Sequence, residues 1–208
     1  MQVKKGYYKN SSYNSLERFI SYYYQIDSIL SLGIKNILEI GIGSNLVSFC
    51  LKEYGINVMT CDFDSSVEPD IVADIRKIPL PDKSFDAVLA CQVLEHIPFE
   101  DFDNALIEIK RLSSRYVVIS LPYRSVFFES VLKFPFIRKI FNRSFFDFVV
   151  RKAVKFQGFK SSGQHYWEID SKMYKMKIVR DRIKNHFKII KEFSPVLNKY
   201  HYFFILEN

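Results

Sequence analysis

A carboxylate and two glycines lie close together in the segment E-I-G-I-G-S-N, which runs from Glu39 to Asn45. An apolar run precedes the segment and a helical pattern follows it, which predicts a buried strand ending in a tight turn. Gly41 and Gly43 can adopt backbone angles closed to other residues, so main-chain N–H groups can approach a ligand. A dinucleotide-binding turn has a third glycine where this chain has Leu46. The acid Glu39 therefore suits a positively charged or amino-bearing ligand better than a phosphate.

A second acidic position follows the next predicted strand, at residues 56–61. Asp62 lies 19 residues beyond Gly43, close to the roughly 20-residue spacing at which an acid at a strand end bonds a ribose. Two neighbouring hydroxyl groups need an acceptor that can take both, and a carboxylate does so. Asp62 is therefore the predicted ribose ligand. Asp64 is the less favoured acceptor, and a plain surface-turn role for this acidic pair is the alternative.

Two histidines could move a proton. His96 ends the sequence V-L-E-H, and His165 begins H-Y-W-E. An imidazole can accept a proton near neutral pH, so His165 and His96 are the candidate catalytic bases. A structural role is the alternative for His96, and for the second stretch the alternative is that Trp167 anchors the loop while Glu168 caps or pairs at a helix start. The candidate substrate contacts are Tyr123, His165, Tyr166 and Glu168.

Strand and helix patterns alternate around these residues. Apolar runs predict strands at 37–40, 56–61, 71–73, 85–91, 116–121, 187–193 and 200–206. Helical spacing predicts helices between 11 and 33 and at 46–54, 102–112 and 171–185. The six residues that join the last two strands are too few for a parallel crossover, so that pair must be antiparallel. Cys91 and Gln92 end the fourth strand, where open α/β sheets bind their ligands.

The sequence resembles the class I S-adenosylmethionine-dependent methyltransferases over residues 36–120. E-I-G-I-G-S-N looks like their motif I, [D/E]-x-G-x-G-x-G, with Asn45 in place of the last glycine. Asn tolerates positive φ best among non-glycine residues. A second resemblance is the block from Asp70 to His96, with an acid after the third strand, a turn of L-P…F-D type and then V-L-E-H. The pattern is similar to the type 11, small-molecule branch, which includes quinone-biosynthesis and sugar methyltransferases.

The resemblance implies an α/β fold, with a doubly wound, mostly parallel seven-stranded sheet (Rossmann-like) and a reversed last strand. It also implies an insertion between strands five and six, and Pro135 and Asn142 predict that this insertion consists of short helical pieces. One domain spans 1–208, divided into a helical leader (1–34), a cofactor-binding core (35–121), an aromatic basic insertion or lid (122–168) and a final helix with a strand pair (169–208).

The resemblance also implies how S-adenosylmethionine is held. The acid of motif I lies near the methionine end, Phe63 lies against the adenine, and Asp74 meets the adenine amino group with the Ile75 backbone beside it. Leader residues Tyr13 or Arg18 approach the site, unless the leader only packs on the core. No metal is expected. The full set of implied cofactor contacts is Glu39, Gly41, Gly43, Asn45, Asp62, Phe63, Asp74, Ile75, Cys91 and Gln92.

The charge of the chain is concentrated in one segment. The net charge is +7, and residues 122–160 contain nine basic residues against Glu129 and Asp147, together with ten of the twenty phenylalanines. The rest of the chain is balanced, which argues against nucleic acid as a partner and favours either a membrane surface or a lid. Three widely spaced cysteines and an N-terminus without an apolar core predict a cytoplasmic protein, with peripheral contact at the inner membrane surface as the further option.

The predicted function is transfer of a methyl group to a small-molecule, sugar or lipid-like acceptor by in-line displacement. Two alternatives are a protein that binds S-adenosylmethionine without turnover and, less favoured, an NAD-dependent oxidoreductase. The acceptor, the choice among O-, N- and C-methylation and the oligomeric state are left open by the sequence.

Overall fold

A seven-stranded sheet forms the centre of the protein. The computed structural model describes residue 8 and residues 13–152, 165–171 and 173–208. Within these residues the strands are β1 (Asn36–Ile40), β2 (Asn57–Asp62), β3 (Ile71–Val72), β4 (Phe85–Cys91), β5 (Ser113–Pro122), β6 (Val126–Leu132), β7 (Phe146–Lys152), β8 (Lys188–Phe193) and β9 (His201–Glu207). The order in the main sheet is β3-β2-β1-β4-β5-β9-β8, while β6 and β7 form a separate pair.

The main sheet is parallel except for one strand. β9 runs antiparallel to both β5 and β8, whereas β1, β2, β3, β4 and β5 pair in parallel. The predicted doubly wound sheet with a reversed last strand is therefore confirmed. Because β1 lies between β2 and β4, the direction of winding changes beside it. In such sheets the ligand crevice opens at the carboxyl ends of the strands at this switch point, where β1 ends in the glycine turn.

Helices cover both faces of the sheet. They are α1 (Leu16–Ser31), α2 (Leu46–Glu53), α3 (Phe102–Leu112), α4 (Ile137–Phe141) and α5 (Met176–His186). Buried residues of α1 and α2 pack with Val118 on one face, and those of α3 and α5 pack with Val117 on the other. The apolar positions of α3 that recur every three or four residues are buried, whereas Ile107 is exposed, as expected for an amphipathic helix. The buried positions are Phe102, Ala105, Leu106, Ile109 and Leu112. Of the helices described, none is long and apolar enough to cross a bilayer.

The segment after β5 contains a β-hairpin, so the prediction of a helical insertion was wrong for residues 126–132 and 146–152; residues 153–164 lie outside the described part of the chain. β6 and β7 pair in antiparallel register from Val126 opposite Lys152 to Leu132 opposite Phe146. Their sequences are rich in Phe and Val, which favour a pleated strand, and the pairing of two distant segments cannot be read from either alone. Among the described residues of the insertion, only α4 is helical. It ends at Phe141, and the next residue, Asn142, adopts positive φ at the predicted break.

The final helix begins later than the predicted 171–185. α5 starts at Met176 because the preceding residues form a turn around Asp170, which has positive φ. The Asp170 backbone N–H donates to the Tyr174 carbonyl, and the Met176 N–H donates to the Asp170 carboxylate at 3.4 Å. The local carboxylate thus competes with helix formation, as Asp side chains commonly do.

Candidate active site

The glycine turn has the backbone geometry that the sequence predicts. Gly41, Gly43 and Asn45 all adopt positive φ. A Cβ added to Gly41 would lie 2.3 Å from a methyl carbon of Val93, so only glycine fits there. Asn45 stands directly before α2 and its side chain bonds the Ser48 hydroxyl, which ties the turn to the helix. The turn therefore presents main-chain groups and the start of α2 to the crevice.

Glu39 is a buried acid with an unsatisfied oxygen. Its Oε2 has no hydrogen-bond partner within the part of the chain that the structure describes. Burial raises the pKa of Glu39 to about 8, although a hydrogen bond with Ser48 and the charge of Lys52 oppose the rise. A buried carboxylate of this kind is costly unless a positive group pairs with it. The side chain lines a cavity, so it is placed to accept an ammonium group.

Asp62 holds the glycine turn and its own loop together. Its Oδ2 accepts from the Ile42 N–H and its Oδ1 from the Asp64 N–H, both at 3.0 Å. Burial raises the pKa of Asp62 despite these hydrogen bonds. Each carboxylate oxygen has a second lone pair, so the group can still accept from a ligand. Phe63 follows and is half exposed beside the same cavity.

Asp74 lines the cavity but is already bound to a cation. Arg76 donates to both of its oxygens and also bridges to Asp101, and the hydrogen bond with Arg76 holds the pKa of Asp74 below its usual range. An adenine amino group would share Asp74 with Arg76. The neighbouring Ile75 is buried in the core and reaches the cavity.

Cys91 and Gln92 end β4 at the opposite side of the crevice. Gln92 adopts positive φ, and its backbone N–H donates to the Ser120 carbonyl at 2.9 Å. Burial raises the pKa of the Cys91 thiol, so the side chain stays uncharged. Both residues line the cavity, at the edge where the sequence places backbone contacts to the methionine part of the cofactor.

One cavity of about 710 Å³ joins these residues to a second group. All the predicted cofactor contacts except Asn45 line it, as do the leader residues Tyr13 and Arg18. The leader also packs on the core through Tyr22 and Ile29. The second group of lining residues comprises Tyr8, Tyr22, His96, His165, Tyr166, Tyr200 and His201.

His165 is fixed by a chain of hydrogen bonds at this second end. Its Nδ1 donates to Glu168 Oε1 at 2.8 Å, and the Tyr200 hydroxyl donates to the same oxygen at 2.9 Å. Burial lowers the pKa of His165, but the bond to Glu168 and the charge of Glu95 outweigh it and raise the pKa overall. Glu168 does not line the cavity and acts through His165.

Glu95 and His96 surround His165. The two imidazole rings meet edge to face at 4.9 Å, and Glu95 Oε1 lies 4.0 Å from His165 Nε2. Glu95 is fully buried, and burial raises its pKa to about 7. Among the described residues, the donor atoms of these three side chains lie within 4.8 Å of one another, close enough to share a metal ion. The sequence predicted no metal and did not single out Glu95.

Tyr123 and Trp167 lie outside the cavity lining. Tyr123 packs beneath the Arg151 guanidinium at 4.3 Å, and burial together with a hydrogen bond to Asp170 raises its pKa to about 12. It is a predicted substrate contact, and in the structure it packs against the hairpin residue Arg151, outside the cavity lining. Trp167 is buried and donates to the Ile97 carbonyl at 3.2 Å, so it anchors the loop.

Comparison with known proteins agrees with the resemblance to methyltransferases found in the sequence. The family model described as "Methyltransferase domain" matches residues 38–116. Residues 38–116 are thus a methyltransferase domain, and the protein is an S-adenosylmethionine-dependent methyltransferase. A search of curated proteins finds no match. This methyltransferase is also similar in fold to three solved structures at low sequence identity.

The first is a protein from Pyrococcus horikoshii OT3, 16% identical, with 99% of both chains covered and a TM-score of 0.62. The second is the 1,6-didemethyltoxoflavin-N1-methyltransferase of Burkholderia thailandensis, 11% identical, covering 98% of this chain and 84% of that one, with a TM-score of 0.64. The third is the magnesium protoporphyrin IX methyltransferase of Synechocystis PCC 6803 with bound S-adenosylhomocysteine. It is 17% identical, with 91% of this chain and 83% of that one covered and a TM-score of 0.59.

The site fits the cofactor of the family. The unsatisfied Glu39 oxygen suits the amino group of the methionine part, Asp62 suits the ribose hydroxyls, and the space beside Gly41 leaves no room for a side chain. S-adenosylmethionine is the cofactor of this enzyme. Sequence reasoning missed Tyr200 and His201, which line the cavity, and Glu95, which lies beside His165. Each joins the site only through long-range packing.

Proposed function

We propose that this enzyme transfers the methyl group of S-adenosylmethionine to a hydroxyl oxygen of a small-molecule acceptor. One observation carries the proposal: a single cavity has the cofactor residues at one end and the imidazole of His165, held by Glu168 and Tyr200, at the other. The names of the toxoflavin and protoporphyrin methyltransferases indicate small-molecule acceptors in proteins of this fold, which supports a small acceptor here.

The residues at the cofactor end of the cavity bind and orient S-adenosylmethionine. Glu39 pairs with the ammonium group, Asp62 accepts from the ribose hydroxyls, and Phe63 packs against the adenine. The main chain at Cys91 and Gln92 borders the methionine part. When bound, S-adenosylmethionine supplies a methyl group that is already activated by its positive sulfur. The protein therefore needs mainly to hold the acceptor in line at about 3 Å and to exclude water.

The acceptor end moves the proton. Because His165 Nδ1–H is bonded to Glu168, the neutral imidazole presents a lone pair at Nε2, the nitrogen that a general base uses. During methyl transfer, the acceptor hydroxyl would give its proton to His165 Nε2. Glu168 stabilises the resulting imidazolium, and Tyr200 holds Glu168 in place. His96, against the His165 ring, limits its rotation.

A substitution of His165 tests this role. For His165→Ala we expect kcat to fall about 10²-fold or more, because general-base catalysis contributes about that much, while cofactor affinity stays nearly unchanged. The measurement is turnover of labelled S-adenosylmethionine with a panel of phenols and sugars, and calorimetry for the cofactor. His186→Ala is the matched control, since His186 also bonds a carboxylate, Asp103, but lies outside the cavity. An unchanged kcat would show that His165 is not the general base and serves only in packing.

We also propose that the enzyme works in the cytoplasm and meets a lipid-like acceptor at the inner membrane surface. The support is the composition of residues 122–160, which contain the excess basic charge and half of the phenylalanines. The hairpin of β6 and β7 is in this segment, and its base contacts the chain next to Tyr200, at the acceptor end.

A further inference from the structure

The hairpin formed by β6 and β7 turns its charged residues toward the body of the protein. Glu129 and Asp147 bind the Lys199 ammonium at 3.1 and 3.2 Å, and the Lys199 side chain is only 2% exposed. Arg151 donates to the Ser194 hydroxyl at 2.9 Å and to the Lys199 carbonyl at 3.1 Å. The inward face of the hairpin is therefore held by ion pairs and hydrogen bonds.

The outward face of the hairpin is apolar. Residues directly opposite in an antiparallel pair share a face, and Phe128 pairs with Val150 while Ser130 pairs with Phe148. Phe128 is 66% exposed and Phe148 62% exposed. The set of exposed apolar side chains on this face, which we name the outer hairpin face, comprises Val126, Phe128, Leu132, Phe148 and Val150. A strand pair in water normally has the opposite arrangement, with polar residues outward.

The connection between the two strands also exposes apolar side chains. Phe134, Phe136, Ile140 and Phe141 are exposed there. Between residues 130 and 146 the chain has four basic residues and no acidic one; they are Lys133, Arg138, Lys139 and Arg143. We name residues 133–145 the hairpin tip. Exposed aromatic side chains beside Lys and Arg are the composition that binds a membrane interface, whereas a soluble lid would bury its phenylalanines.

We propose that the outer hairpin face and the hairpin tip dock this enzyme on an anionic lipid surface. The positive charge of the hairpin tip indicates which partner binds to this surface. The hairpin tip has four cations and no acid, and the hairpin acids Glu129 and Asp147 are paired with Lys199. This charge matches anionic headgroups and disfavours a second copy of this chain, which would bring four more cations. The inference rests on the proposed function only in so far as the acceptor is lipid-like, because docking itself can be measured without any methyl transfer.

Vesicle flotation tests the docking. The wild-type protein should float with vesicles that contain about a third anionic phosphatidylglycerol in phosphatidylcholine, and not with phosphatidylcholine alone. Binding should weaken at high salt, because salt screens exposed charges. Arg138→Gln with Lys139→Gln should weaken binding roughly 25-fold, since each basic residue near the surface contributes about fivefold. Phe128→Ser with Phe148→Ser should weaken it at least about tenfold.

Two control variants separate docking from general surface effects. Lys177→Gln with Lys184→Gln removes two exposed charges from α5, and Phe49→Ser removes a side chain that is 61% exposed on α2. Both should float as the wild type does. Cofactor binding by calorimetry should be equal in all variants, so a failure of docking is distinguished from a failure of the cofactor site. If Phe128→Ser with Phe148→Ser does not fold, the charge variant still decides.

Several results would overturn the proposal. One is a wild-type protein that stays with the soluble fraction in the presence of anionic vesicles. Another is flotation that is equal in the hairpin variants and the wild type. Light scattering that shows a dimer lost in the Phe128→Ser, Phe148→Ser variant would assign the outer hairpin face to a second copy of the chain instead.

Discussion

Glu39→Gln should make the protein more stable and a poorer binder of its cofactor. The pKa of Glu39 is about 8 in the fold against an ordinary value of 4.5, so the folded state holds a proton that the unfolded chain has lost over this range. The contribution of Glu39 to the unfolding free energy is therefore greatest below pH 4.5 and falls as pH rises to 8. At about 1.4 kcal/mol per pH unit, the loss is less than about 1 kcal/mol at pH 5 and on the order of 4 kcal/mol at pH 8.

Glutamine cannot ionise and has nearly the shape of a protonated glutamic acid. The difference in unfolding free energy between Glu39→Gln and wild type should therefore grow by roughly 3–4 kcal/mol from pH 5 to pH 8. In a domain of this size about 1 kcal/mol shifts Tm by roughly 2–4 °C, so the Tm advantage of the variant should grow by roughly 10 °C. Thermal unfolding followed by circular dichroism measures it, with Glu53→Gln on exposed α2 surface as the control.

Cofactor binding should change in the opposite direction. Loss of a charged acceptor costs about 1.5–3 kcal/mol, so the affinity of Glu39→Gln for S-adenosylmethionine at pH 8 should fall at least about tenfold. Calorimetry measures this. If the Tm difference between variant and wild type were the same at pH 5 and pH 8, Glu39 would not be a buried acid under strain, and the reasoning about its ammonium partner would fail.

Two further predictions concern the other acids. Asp62→Ala should lower S-adenosylmethionine affinity at least about tenfold in calorimetry. It should also lower Tm, because Asp62 accepts hydrogen bonds from the Ile42 and Asp64 N–H groups. Unchanged affinity would show that Asp62 does not bind the ribose. Glu168→Gln should move the acidic limb of the kcat–pH profile to lower pH, because the bond and charge of Glu168 raise the pKa of His165 and the base must be neutral to act. If the acidic limb of the kcat–pH profile did not move, Glu168 would not tune the catalytic base.

The cofactor end could be predicted from the sequence because its residues lie in short segments at strand ends. The turn from Glu39 to Asn45 and the acid Asp62 each follow an apolar run, and the carboxyl ends of parallel strands meet at one edge of the sheet. The local sequence pattern therefore also indicates where these residues lie in the fold. The state of Asp74 was less predictable, because Arg76 lies only two residues away and captures its carboxylate.

The acceptor end could be predicted only in part, since its side chains come from distant segments. His165 and His96 were candidates, yet the contact between their rings depends on the Glu95 carbonyl receiving the Tyr166 N–H. Tyr200 was read only as the start of a strand, and its bond to Glu168 spans 32 residues. The hairpin has the same limit: its strands were not predicted, because they pair across distant segments and their inward face depends on the buried Lys199. Lys199 and Tyr200 are neighbours, so the support of the hairpin and the support of the proposed base share one segment of backbone.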